Sequence, residues 1–275
     1  MLVQLARETG VRPLPWLSPV PVTASMLGLR PTVRACLFDL DGVLTDSAAL
    51  HAWAWGEVFD ELLMRLSERA GWHYIPFDRD ADYHAFIEGR PRLEGVHAFL
   101  QSRGIRVPEG RPNDPAQAET ALGIARRKGE VLARGLRERG VSALAGARRY
   151  LEAAGHAGLA RGAVSASTSM SPMLELAGLA TLLEDSVDAE VMRAEGLRAR
   201  PAPDLLLTAC DRLGVRPEET VTFTHTGAGI AAGRLAGLEV VGVGSGAEGE
   251  LLRGADGKRI VSSLSELLDP QLSRR

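Results

Sequence analysis

Two carboxylates spaced two residues apart, Asp39 and Asp41, open the string Asp39-Leu-Asp-Gly-Val-Leu-Thr-Asp-Ser47, and the apolar run Val33 to Phe38 leads directly into them. That run reads as a buried strand. Ligand sites of open α/β sheets form just beyond the C-terminal ends of strands. In extended backbone the i, i+2 spacing turns both side chains to one side, and Gly42 permits the sharp departure that follows. An aspartate so placed can attack phosphorus and form an aspartyl-phosphate, which splits one hard step into two. A second carboxyl group two residues on can protonate the leaving oxygen and then activate the incoming nucleophile. An acidic loop that merely caps the next helix would not require the strand and the whole string together.

The elements that must position this pair alternate in type. Helical spacing of Trp55, Val58, Phe59, Leu62, Leu63 and Leu66 predicts a helix over 48–70. Residues 71–140 are richer in charge and loop signals, with helices expected at 95–103 and 116–139 around a polar turn at 108–115. Beyond them, strands are expected at 159–164, 220–223, 239–243 and 259–261, and helices at 172–177, 204–213 and 229–236. This alternation predicts a parallel sheet covered on both faces. One strand precedes residue 40 and the others follow residue 158, so a helical insertion separates them. The expected organisation is a loosely ordered tail at 1–30, an α/β core from 31–47 and 143–275, and a helical cap at 48–142.

Bulk properties narrow the function classes. A chain of 275 residues with 45% hydrophobic and 24% charged residues is an ordinary globular protein. Its formal charge of −3 gives no reason to expect a nucleic-acid or membrane partner, and a monomer is expected. Two cysteines, Cys36 and Cys210, form neither a disulfide framework nor a metal spacing, which points to a reducing cytoplasm. The N-terminal 26 residues are interrupted by prolines and make a poor signal peptide; Met26 could be the natural start. Of 32 basic residues only Lys128 and Lys258 are lysine.

The string FDLDGVLTDS resembles the first motif of haloacid-dehalogenase-like phosphatases and phosphomutases, and an aspartate at position 41 matches the phosphoryl-transfer members. The β-phosphoglucomutase-like subfamily is similar over residues 30 to 268. Asp46–Trp55 resembles its hinge and first cap helix, with His51 and Trp55 at the matching offsets. Glu88–Val96 resembles its substrate-selecting cap loop, with Gly89 and Arg92 in place. Arg126–Glu130 resembles the cap segment that supplies a lysine, here Lys128. Val164–Ser169, with Ser165, Ser167 and Ser169, resembles the second motif, and Arg200–Asp204 the third.

The resemblance implies a Rossmann-like α/β core with an inserted helical cap, acting on a small phosphorylated metabolite such as a sugar phosphate. Asp39 would be the nucleophile and Asp41 the acid and base. Ser165 and Arg200 would grip phosphate, while His51, Trp55, Gly89, Arg92, Lys128, Ser167 and Ser169 would contact substrate. Arg200 stands where the family has lysine; its planar fork places charge differently from a compact ammonium, and Arg198 is a neighbouring candidate.

The family also implies Mg²⁺, held by Asp39, the Asp41 carbonyl and an acid in a fourth motif. That segment here reads Thr224-His225-Thr226, and no acid lies between Glu219 and Glu239. Mg²⁺ takes oxygen ligands, whereas imidazole at His225 suits another divalent metal such as Zn, Ni or Fe. Mutase, phosphatase and a catalytically impaired phosphosugar-binding relative are therefore all open. The Gly227–Gly233 pattern also resembles a dinucleotide-binding turn. It comes late in the chain, and Glu239 is too near to be the ribose-binding acid.

Overall fold

The computed structural model describes residues 21–268. Six parallel strands form one sheet in the order β3-β2-β1-β4-β5-β6. They are β1 (Ala35–Asp39), β2 (Ala160–Val164), β3 (Asp185–Val187), β4 (Thr220–Thr224), β5 (Glu239–Val243) and β6 (Ile260–Val261). Every residue of β1 and β4 is buried, as parallel strands covered on both faces require. In register, Asp39 lies opposite Val164, and Phe38 opposite both Ala163 and Phe223. Phe38 and Phe223 stack at 4.8 Å, and Tyr150 meets both edge-on. Each such buried aromatic stabilises the fold by roughly 1.5–3 kcal/mol.

The chain leaves the sheet after Asp39 and builds the cap from α1 (Ala48–Ala70), α2 (Arg92–Ser102) and α3 (Ala121–Arg139). The chain crosses from core to cap twice, and the two crossings run side by side. Thr45 bridges Ala143 antiparallel, and Asp46 N–H donates to the Ser142 carbonyl at 3.0 Å. The cap has its own aromatic centre, with Phe59 4.2 Å from Phe99 and 5.3 Å from Phe77. The remaining helices, α4 (Ala147–His156), α5 (Met170–Leu176), α6 (Ala189–Glu195), α7 (Asp204–Leu213), α8 (Gly227–Leu235) and α9 (Gly246–Gly254), surround the sheet.

Several boundaries differ from the sequence reading. The expected helix at 116–139 starts only at Ala121, because the Thr120 hydroxyl accepts the Gly123 N–H as an N-cap. The helix expected at 229–236 starts at Gly227, capped by Thr226. The sequence reading missed β3, α4, α6, α9 and a five-residue π-helix at Tyr83–Ile87. Residues 1–20 of the expected tail lie outside the described residues. Its end is packed: Leu27 is fully buried, and its carbonyl accepts from the Tyr150 hydroxyl at 3.0 Å. Among the described residues no helix is long and apolar enough to cross a membrane.

Candidate active site

β1 ends with Asp39 at the sheet's centre, so its carboxylate is 2% exposed and needs partners. Three donors meet it. Arg200 Nη1 donates to Oδ2 at 2.9 Å and Nη2 to Oδ1 at 2.5 Å, a bidentate fork. The Thr224 hydroxyl, at the end of β4, adds 2.7 Å to Oδ2. Burial alone would raise the Asp39 pKa, but Arg200 and His225 outweigh it and hold the carboxyl well below the usual range.

His225 follows Thr224 and stands between two acids: Nδ1 is 3.6 Å from Asp39 Oδ2, and Nε2 is 3.5 Å from Glu88 Oε1. Burial depresses its pKa, yet the two carboxylates prevail and push it up to about 10. Glu88, on the cap loop, is paired further with His84 Nδ1 at 2.8 Å, so this acid ties cap to core. Gly42, with φ of +70°, passes under the His225 ring; a Cβ there would fall 2.6 Å from Cγ.

Asp41 sits beside the hinge. Its carboxylate accepts from the Ser47 hydroxyl, and His51 Nε2 is 3.8 Å away. His51 Nδ1 lies 3.1 Å from Lys128 Nζ, which hovers 5.5 Å from the Trp55 ring. Lys128 is 2% exposed. Burial, then nearby Arg92, draws its pKa well below the ordinary lysine value, against the pull of Asp41. Burial and Lys128 likewise push His51 down to about 3. Arg92 reaches from the cap to the core, its Nη2 donating to the Thr168 hydroxyl at 3.1 Å.

One cavity of about 520 Å³ lies between cap and core. Asp39, Asp41, His51, Trp55, Gly89, Arg92, Lys128, Ser165, Ser167, Arg200 and His225 all line it. Ser169 does not; its N–H donates to the Ser167 hydroxyl at 3.1 Å, and it leads into α5 instead. Arg198 is exposed and forks onto Asp204, away from the cavity. Sequence reasoning missed Glu88, Thr168 and Thr224 as site members. Glu88 and Thr224 were visible beside matched positions, but only the fold shows that they meet His225 and Asp39.

Both Asp39 oxygens are engaged by Arg200 and Thr224, and the facing position holds the His225 imidazole in place of a carboxylate. Among the described residues no group of three or more His, Cys, Asp or Glu side chains could hold a metal ion. Mg²⁺ requires oxygen ligands in near-octahedral array. The expected set of Asp39, Asp41 and His225 does not fit it, because the third position offers a ring nitrogen where Mg²⁺ takes oxygen.

A sheet of this order, a buried aspartate at the end of its central strand and a helical cap over it define a hydrolase-type α/β scaffold with an inserted cap. The family model for haloacid dehalogenase-like hydrolases matches residues 33–237, and the chain belongs to that family. It is similar to the β-phosphoglucomutase of Mycobacterium bovis, 43% identical over 252 residues, which are 90% of this chain and 96% of that protein. The β-phosphoglucomutase of Bacillus subtilis is 27% identical over 82% of this chain and 88% of its own. The solved β-phosphoglucomutase structure from Clostridium difficile shares the fold, with a TM-score of 0.67 at 22% identity over 88% of this chain and 96% of that one. The chain is an enzyme of this β-phosphoglucomutase-like kind.

Proposed function

We propose that the protein is a phosphomutase that converts β-glucose 1-phosphate to glucose 6-phosphate through an aspartyl-phosphate on Asp39. One observation carries this reading: the cavity has basic residues at two poles, Arg200 beside Asp39 on the floor and Arg92 with Lys128 in the cap. A sugar carrying phosphate at both ends fits such a cavity; a simple monoester uses only the floor.

The residues divide the work. An arriving phosphate competes for the Arg200 fork. Passing Nη2 from Asp39 Oδ1 to a phosphate oxygen frees the attacking lone pair and aligns the phosphorus. The Asp39 oxygen forms the new P–O bond as the bond to the sugar oxygen breaks, and Asp41 gives that oxygen a proton. In the return step Asp41 takes the proton of the free hydroxyl of an incoming sugar monophosphate, and that oxygen attacks the aspartyl-phosphate as its bond to Asp39 breaks. Ser165 and Ser167 accept backbone N–H groups at 3.1 Å, which leaves their hydroxyl protons for phosphate oxygens. Arg92 and Lys128 hold the distal phosphate, and its charge restores the ammonium that burial disfavours. Cap closure excludes water and directs the phosphoryl group to sugar.

The test is incubation with β-glucose 1-phosphate and a trace of the 1,6-bisphosphate, with and without divalent cations. Glucose 6-phosphate is the expected product. Free phosphate alone would select a phosphatase, and saturable binding with neither product would select a phosphosugar-binding relative.

A further inference from the structure

The floor of the cavity is a set of donors. Arg200 spreads its fork over both Asp39 oxygens, and Thr224 adds a hydroxyl to one of them. Three buried nitrogens of cavity-lining residues, Arg200 Nε, His225 Nδ1 and His51 Nε2, have no hydrogen-bond partner. A divalent cation needs lone pairs aimed at one point. This floor instead presents N–H and O–H groups around a carboxylate whose two oxygens already accept three hydrogen bonds. Arg200, in the loop before α7, and His225, directly after β4, flank Asp39 as groups fixed to the protein.

The surrounding chain is shaped for that arrangement. Thr224 is fully buried, and a Cβ at Gly229 would collide with its hydroxyl, so that glycine is what makes room for the donor. Gly42 leaves the gap that the His225 ring fills. Glu88 of the cap loop, 3.5 Å from His225 Nε2, balances that ring from the far side. A second, smaller cavity of about 200 Å³ lies against His225, Glu88 and His84. Glu88 and His225 line both cavities and so stand as a wall between the two spaces.

We infer that this site binds a phosphate dianion without any divalent cation, with Arg200 and His225 as covalently attached replacements for the metal. The inference rests on the phosphate-ester reading of the cavity, but not on turnover. A guanidinium fork can supply the charge that draws phosphate toward the Asp39 carboxylate, and its planar geometry matches two phosphate oxygens.

The experiment uses the full chain. Calorimetric titration with inorganic phosphate in excess EDTA and in millimolar Mg²⁺ should give affinities within about twofold of each other. Electron paramagnetic resonance with Mn²⁺ should show no bound ion. Arg200→Met should weaken phosphate binding by about tenfold or more in either buffer, which locates the binding. His225→Asp should gain Mn²⁺ binding and a Mg²⁺-dependent phosphate affinity. Stoichiometric Mn²⁺ binding by the native chain, a tenfold gain in phosphate affinity with Mg²⁺, or no phosphate binding in either buffer would each overturn the inference. Metal-dependent binding with mutase turnover removes this inference alone. Metal-independent binding without turnover removes only the mutase reading.

Discussion

Lys128 Nζ lies 3.1 Å from His51 Nδ1, and both side chains are buried in the cap wall of the cavity. Burial holds both below their ordinary pKa values, helped by Arg92 at the lysine and by Lys128 at the histidine. Each has a folded pKa below its unfolded value, so the unfolded chain binds more protons in the window between the two. For His51 the window runs from 6.5 down to about 3, and stability is lost as pH falls through it. For Lys128 the window lies below 10.5, so at neutral pH the lysine already works against the fold. Lys128→Met should raise stability at pH 7 by about 1 kcal/mol or more. The same substitution should weaken sugar bisphosphate binding by roughly 10–100-fold. Urea unfolding and calorimetric titration check the two halves.

His225 shows the opposite sign. Its folded pKa, about 10, exceeds the usual 6.5, so its contribution is complete below pH 6.5 and disappears as pH rises toward 10. Melting temperature should fall along this alkaline limb in the native chain, and the fall should flatten in His225→Asn. Glu88→Gln removes one of the two carboxylates that hold the proton. The imidazole titration, followed by NMR, should then move to lower pH, and the cap should open more readily in hydrogen exchange.

Asp39→Asn keeps the shape of the nucleophile but not its charge. No phosphoryl group should be found on the protein by mass spectrometry, and turnover should drop at least a thousandfold, on the order expected for losing a nucleophile. The substitution also leaves the Arg200 guanidinium buried without its counter-charge. A loss of about 3–5 kcal/mol in unfolding free energy is expected.

Gly42 tests the packing under the imidazole. Its φ of +70° costs an L-residue about 1–2 kcal/mol, and a Cβ would press on the His225 ring at 2.6 Å. Gly42→Ala should therefore lower the melting temperature. It should also displace the His225 titration, which a purely local backbone effect would leave alone.

Much of this architecture was legible in the chain because its signals are local. The apolar run before Asp39 marked β1, and the β-α alternation after residue 158 marked the parallel sheet. The three residues of β3, two of them half-buried, gave too short a pattern to read. The Thr120 cap moved a helix start although Ala116 to Glu119 are good helix formers, because its hydroxyl takes the Gly123 N–H while the Ala121 N–H turns back to the Pro108 carbonyl. In the site, Asp39, Arg200 and Lys128 could be named from motif positions. The clasp of Glu88 on His225 could not, since 137 positions separate residues whose meeting depends on how the cap sits over the core.

β1 occupies the middle of the sheet, with a parallel neighbour on each side and every residue buried. Amides in that strand cannot exchange with solvent unless the whole sheet comes apart. The cap, joined to the core by two adjacent crossings of the chain, is free to keep a faster clock of its own. Recognition can therefore drift by changes in the cap while the floor that carries the reacting carboxylate stays the last part of the molecule to yield.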